Sequence, residues 1–79
     1  MIIFTRHARN RMRRDKVNEA DVDDCVGSPE FERAQGGGKV EAWNGYREGF
    51  LKVVYRLREV NTLVITVTVK RKRPNWAQS

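Results

Sequence analysis

Cysteine is nearly absent from this sequence: Cys25 stands alone. That excludes an internal disulfide and any cysteine cage for a metal ion, and a single thiol fits a reducing compartment. Histidine is equally scarce, with His7 the only one. One imidazole, one thiol and a helical acidic run do not close a coordination sphere, so no metal and no other cofactor is expected. Long apolar runs are missing too. The opening MIIF is too short for the core of a signal peptide, and the longest near-apolar run, residues 63–69, falls far below a membrane span. These shortages predict a soluble, cytoplasmic protein with no membrane partner. The 79 residues suffice for one domain. A chain of this size buries only about 60–65% of its unfolded surface, so the core is small.

Positive charge is abundant. The net charge is +6 and the sequence pI is near 10.1. Residues 6–16 hold six of the sixteen basic side chains, and residues 70–73 hold four more without a break. Between them, residues 19–24 contribute four acidic side chains and no basic one. Two basic clusters around an acidic patch predict a dipolar surface whose natural counter-ion is nucleic acid. Charge alone supports an attraction that ignores base sequence.

The first basic cluster, TRHARNRMRR over residues 5–14, separates into three stripes at the helical period. Phe4, Ala8 and Met12 form an apolar seam. Arg6, Arg9 and Arg13 point to the opposite side, into water. His7, Arg11 and Arg14 run along one border of the seam, placing one titratable imidazole beside two permanent charges. A phosphate-handling site can sit on such a border, and so can an ordinary solvated basic face.

Further along, Asn18 is a suitable N-cap, with Asp21 in a capping-box-like position and Val17 and Val22 placed as a hydrophobic staple. Gly27 followed by Ser28-Pro29 stops the helix, giving helix two over residues 18–27. Its acidic residues read as a capped, solvated face rather than as paired catalytic carboxylates. From Glu30 the period becomes two. Residues 31–35 and 39–43 are strands joined by a flexible turn at Gly36, Gly37 and Gly38; no Lys-Ser/Thr follows to make those glycines a phosphate loop. Asn44-Gly45 predicts a second hairpin turn. The strand after it, ending near Arg58, places Leu51, Val53, Tyr55 and Leu57 on one face. The last strand, residues 63–70, places Leu63, Ile65, Val67 and Val69 on one face. The fold class is therefore α+β: two N-terminal helices packed on one face of a three- to four-stranded antiparallel sheet. Val22, Val26, Val53, Ile65 and Val67 are expected in the core. The opposite face is expected to be basic and hydroxyl-bearing, with Lys52, Arg56, Arg58, Thr66, Thr68 and Lys70 and few large apolar groups.

A basic, metal-free surface with one histidine suits RNA cleavage by the substrate's own 2′-hydroxyl, in which the protein positions the backbone, stabilises a charged phosphorane and moves a proton. Histidine is the side chain best suited to exchange a proton near neutral pH, so His7 is the candidate proton carrier. Arginine cannot serve as a base, so Arg11, Arg14 and Arg56 would clamp phosphates. Arg6, Arg14, Lys52, Arg56, Arg58, Lys70, Arg71, Lys72 and Arg73 make up the expected RNA-binding set. Trp43 and Tyr46 flank the predicted hairpin, where they either stack on a base or pack. The tail from Arg71 onward, polar except for Trp76, is expected to lie outside the core, as a solubilising segment or an electrostatic arm.

FTRHARNRMRRDKVNEADVDDCVGSPE resembles the opening of a family of small bacterial domains of unassigned function. Their first helix begins with a histidine followed by an arginine-methionine pair, and their second carries an E-x-D-V pattern before a proline stop. YRLREVNTLVITVTVKRK is similar to that family's closing hairpin, while the middle of the chain matches poorly. The family is grouped with the RelE/ParE-like toxins, whose wider fold includes many metal-independent ribonucleases. The resemblance implies a RelE/ParE-like domain over residues 1–73 with a short tail, 74–79. It also implies an mRNA-interferase-like toxin of a toxin–antitoxin system, with His7, Arg11 and Thr66 at the matching catalytic positions and an acidic antitoxin as partner. Two other readings stay beside it. One is a non-catalytic RNA- or ribosome-binding module, indifferent to loss of His7. The other is an interaction domain whose basic sheet face meets an acidic antitoxin. Oligomeric state is not readable from these residues.

Overall fold

The computed structural model describes residues 1–77, in the order β1 (Ile2–Phe4), α1 (Arg6–Asp15), α2 (Glu19–Gly27), β2 (Phe31–Gly36), β3 (Lys39–Tyr46), β4 (Gly49–Leu57) and β5 (Thr62–Lys70). Each helix starts where a side-chain oxygen replaces a missing backbone partner. Thr5 stays extended and its hydroxyl accepts the Ala8 N–H at 3.1 Å. Asn18 does the same for the Asp21 N–H at 2.9 Å, and the flanking Val17 and Val22 are both buried, as the staple requires. α1 ends at Lys16, which takes the left-handed conformation (φ 57°) and returns its N–H to the Met12 and Arg13 carbonyls. Arg47 then donates to the carbonyls of Asp15 at 2.9 Å and Lys16 at 2.6 Å, setting a cation on the negative end of the helix.

The sheet order is β1-β5-β4-β3-β2. β1 runs parallel to β5, and the other neighbours are antiparallel. The expected three- to four-stranded antiparallel, RelE/ParE-like sheet is thus corrected to a five-stranded mixed one, within the same α+β class. Three residues carry no readable periodicity of their own. β1 forms because β5 has a free edge: the Thr62 N–H reaches the Met1 carbonyl at 2.9 Å, and the Thr5 N–H reaches that of Val64 at 3.0 Å.

Both helices cover one face of this sheet. Ala8 and Met12 of α1 and Val22 and Cys25 of α2 join Ala42, Leu51, Val53, Tyr55, Val64 and Val67 in the core. The expected core holds for Val22, Val53 and Val67, but Val26 and Ile65 are only half-buried. The reason at Ile65 is a bulge: Val54 pairs with Thr66 while the next residue, Tyr55, pairs with Val64, leaving Ile65 as the extra residue. The alternation reverses there, and Val64 is buried in its place. Thr5 holds the bulge by donating its hydroxyl to the Ile65 carbonyl at 2.8 Å.

The first hairpin turns at the three glycines, all at positive φ (86°, 61° and 78°), as read from the sequence. Asn44-Gly45 makes no turn. β3 continues through both residues to Tyr46, and the reversal falls on Arg47 (φ 55°) and Glu48. Two long-range demands outweigh the local signal. Asn44 Oδ1 is engaged by the Glu30 N–H at 2.8 Å, and Gly49 lies so close to the Lys70 carbonyl that a Cβ there would collide with it. Among the described residues no helix is long and apolar enough to cross a membrane.

Candidate nucleic-acid interface

The alternation that turns Ala42, Leu51, Val53 and Val67 toward the helices sends Glu41, Trp43, Lys52, Val54, Thr66 and Thr68 to the other face. β2 adds Phe31 and Arg33, paired with Trp43 and Glu41. Trp43 and Val54 are buried yet belong to no part of the helix-side core. Phe50 joins them, its ring centre 6.2 Å from Phe31 and 6.4 Å from Trp43 in a tilted and an edge-on arrangement. The face expected to hold few large apolar groups therefore carries a small aromatic layer.

Over this layer lies the segment after β5. Pro74 is buried, and Trp76 is half-buried. The Trp76 indole N–H donates to Glu41 Oε2 at 2.9 Å, beside the Trp43 indole N–H at 2.7 Å. Gln35 Nε2 donates to the other oxygen at 2.6 Å, and Arg33 approaches it at 3.6 Å. The Arg33 guanidinium also lies 4.7 Å over the Trp76 ring. The tail expected at the periphery is thus docked up to Ala77, while residues 78 and 79 lie outside the described ones. Glu41 is 2% exposed. Burial alone would push its carboxyl up; the hydrogen bonds from Trp43, Trp76 and Gln35, with the Lys52 charge, outweigh it and hold the group below the usual carboxylate range.

The sheet and this overlying strap, residues 71–77, line a groove of about 490 Å³. Six cations line it: Arg33, Lys52, Lys70, Arg71, Lys72 and Arg73. Glu41 is the one carboxylate in the lining, and Trp43, Asn75 and Trp76 complete it. A carboxylate offers about four acceptor sites, and Glu41 has committed its own to three donors and Arg33. The groove consequently presents excess positive charge with its acid already occupied, an arrangement whose chemistry is complementary to anions.

Five of the residues expected from the sequence to touch RNA line this groove, Lys52, Lys70, Arg71, Lys72 and Arg73. Arg6 and Arg14 are exposed on α1, which packs on the other side of the sheet. Arg56 and Arg58 are exposed at and just beyond the far end of β4. His7 is exposed near the start of α1, and Arg11, one turn on, is half-buried with its Nε enclosed and unpaired. Thr66 pairs with Val54 on the outer face, so the sheet stands between it and the His7–Arg11 stripe. Arg33 has no signal of its own in the sequence: it lies in a short strand, and its role comes from Glu41 and Trp76, both outside its local segment. Tyr46 turns toward α2, donating its hydroxyl to Asp21 at 2.8 Å. Cys25 is sealed in the core, where burial pushes its thiol up to about 12. Among the described residues no three His, Cys, Asp or Glu side chains converge.

A family model described as a domain of unknown function, DUF4258, matches residues 4–69. The chain belongs to the DUF4258 family. That agrees with the small-domain family suggested by the helix-opening motifs, and the match does not extend to a RelE/ParE grouping. It takes in Glu41, Trp43 and Lys52 and stops just before Lys70, so the basic run and Trp76 lie beyond the matched segment. No curated protein and no solved structure matches the chain.

Proposed function

We propose that this DUF4258 domain is an RNA-binding module that holds a single-stranded phosphodiester backbone in the groove between sheet and strap. One observation carries the reading: six cations converge on a groove whose only carboxylate is already committed to hydrogen bonds. Single-stranded RNA suits its dimensions, because a groove of about 490 Å³ admits a backbone and an unstacked base but no duplex. The Arg33 guanidinium, stacked on Trp76, offers a flat cationic surface for a base.

The test is fluorescence anisotropy with a labelled single-stranded RNA of about a dozen nucleotides, across a salt series. With about four to six phosphates engaged, affinity falls roughly 50- to 300-fold between 50 and 200 mM salt. The double substitution Lys72→Gln and Arg73→Gln weakens binding and reduces the slope by about 1.4, at about 0.7 for each phosphate no longer neutralised. A flat salt response, or capture of an acidic peptide in preference to RNA, overturns the reading in favour of a protein partner.

A ribonuclease reading retains one observation of its own: His7 is open to solvent one turn from Arg11, whose Nε has no partner. There His7 would carry the proton and Arg11 would steady the phosphate, with RNA cleavage rather than affinity as the deciding measurement.

A further inference from the structure

We infer that Glu41 and Trp76 are positioning residues for the groove: their contact pins residues 70–77 across the outer sheet face, and the pinned strap, not a free basic arm, presents the phosphate-binding charges. The inference rests on the RNA-binding reading. The strap is held at both ends. Lys70 is paired with Phe50 at the end of β5, and Trp76 is hydrogen-bonded to Glu41, 35 positions away in sequence. Between these anchors Pro74 is buried, and just past Trp76 the Ala77 N–H closes a turn onto the Pro74 carbonyl at 3.1 Å.

Four consecutive cations beside Lys52 and Arg33 repel one another, and a free arm would splay away from the sheet. Glu41 cannot relieve this by facing the ligand, since its oxygens point at two indoles, Gln35 and Arg33. Its charge is used to hold the strap. A polyanion in the groove neutralises the crowded cations, so RNA and the latched strap stabilise each other, and by linkage loss of the latch must weaken RNA binding.

Two substitutions in the full chain separate a latch from an arm. Trp76→Phe keeps an aromatic ring, though a smaller one, and the net charge but removes the indole donor. Glu41→Gln makes the protein more positive by one charge. A free arm predicts unchanged RNA affinity for the first and tighter binding for the second. A latch predicts weaker binding for both, by about tenfold, with a shallower salt slope because fewer strap cations reach the RNA together. Circular dichroism at the assay temperature confirms that the variants are folded, and the salt slope is a quantity that a general loss of stability would not alter in a folded population. If Glu41→Gln binds as tightly as the parent or tighter, or Trp76→Phe keeps the parental affinity and slope, the latch is wrong and the RNA reading stands. If the parent itself binds no RNA at 50 mM salt, the RNA reading falls and this inference falls with it.

Discussion

The two faces of the sheet are covered by different chemistry. On the helix side, aliphatic residues of β4 and β5 meet the seam of α1 and the buried edge of α2. The Cys25 thiol among them donates weakly to the Ala42 and Leu51 carbonyls at 3.5 and 3.7 Å. On the other side, an ionised carboxylate is enclosed by indoles, an amide and a guanidinium under a strap of chain. β3 serves both: Val40 and Ala42 belong to the first face, Glu41 and Trp43 to the second. The difference separates two tasks. Apolar burial on the helix side has no direction and supplies stability, whereas the outer face fixes donors and charges in particular positions, as a ligand site requires.

Leu51→Ala is the most direct blow to the helix-side face. Leu51 is 1% exposed, and truncation removes buried methyl groups and leaves a cavity, costing about 2–5 kcal/mol. In a domain of this size that lowers Tm by on the order of 10–30 °C. Glu41→Leu addresses the other face. It leaves two indole N–H groups without an acceptor, for a loss of about 1–3 kcal/mol in thermal or urea unfolding. A gain in stability would instead make the outer face an ordinary apolar layer in which the carboxylate is a burden, and the contrast between the faces would collapse.

The helix side is largely legible in the sequence, because its determinants are local. Asn18 with Asp21, and Val17 with Val22, specify the start of α2 within five positions, and Ala8 and Met12 are buried on α1 as their spacing predicts, while Phe4 reaches the core from β1 and not from the helix. Reading fails where a distant partner decides. Ile65 gives up its core position to a bulge secured by Thr5, sixty residues earlier. Asn44-Gly45 yields its turn to the demands of Glu30 and Lys70. The outer face is legible only as charge: the run of four cations is visible, but nothing near Trp76 announces Glu41, and nothing near Arg33 announces either. Of the residues expected in catalysis, the His7–Arg11 spacing is visible from helical periodicity, while Thr66 comes from resemblance alone and lies across the sheet from both.

The outer face also brings a pH dependence on the acid side, whereas the raised Cys25 thiol makes the helix side sensitive only at alkaline pH. The Glu41 carboxyl is held below its ordinary value of 4.5, so the folded state binds its proton less readily than the unfolded chain does. The stability contributed by the charged form is then fully present above about pH 4.5 and is lost as the pH falls through the lower, folded-state value. Thermal unfolding of the parent and of Glu41→Gln should differ most near neutral pH and converge on acidification. A gap that stays constant from pH 7 to about pH 3 would mean that hydrogen-bond geometry, not ionisation, makes the outer cluster.

The smallest expected effect belongs to His7→Gln. His7 is exposed on α1, away from both buried layers and from the groove lining, so the substitution should leave stability within about 0.5 kcal/mol of the parent. RNA affinity should stay within about twofold, because under the binding-module reading the same phosphates remain engaged. The ribonuclease reading predicts the same stability and affinity but a different chemical outcome. Glutamine keeps hydrogen-bonding capacity and cannot carry a proton near neutral pH, so cleavage of a labelled RNA should slow by ~10²–10⁴-fold. The comparison between the sheet faces then acquires a third term. If the parent cleaves RNA and His7→Gln does so about a hundredfold more slowly with unchanged affinity, the α1 stripe performs the chemistry and the groove holds substrate for it. If the parent leaves RNA intact, or both proteins cleave at the same rate, the proton-transfer role of His7 is wrong, and the binding reading of the six-cation groove on the opposite face is left to the salt series alone.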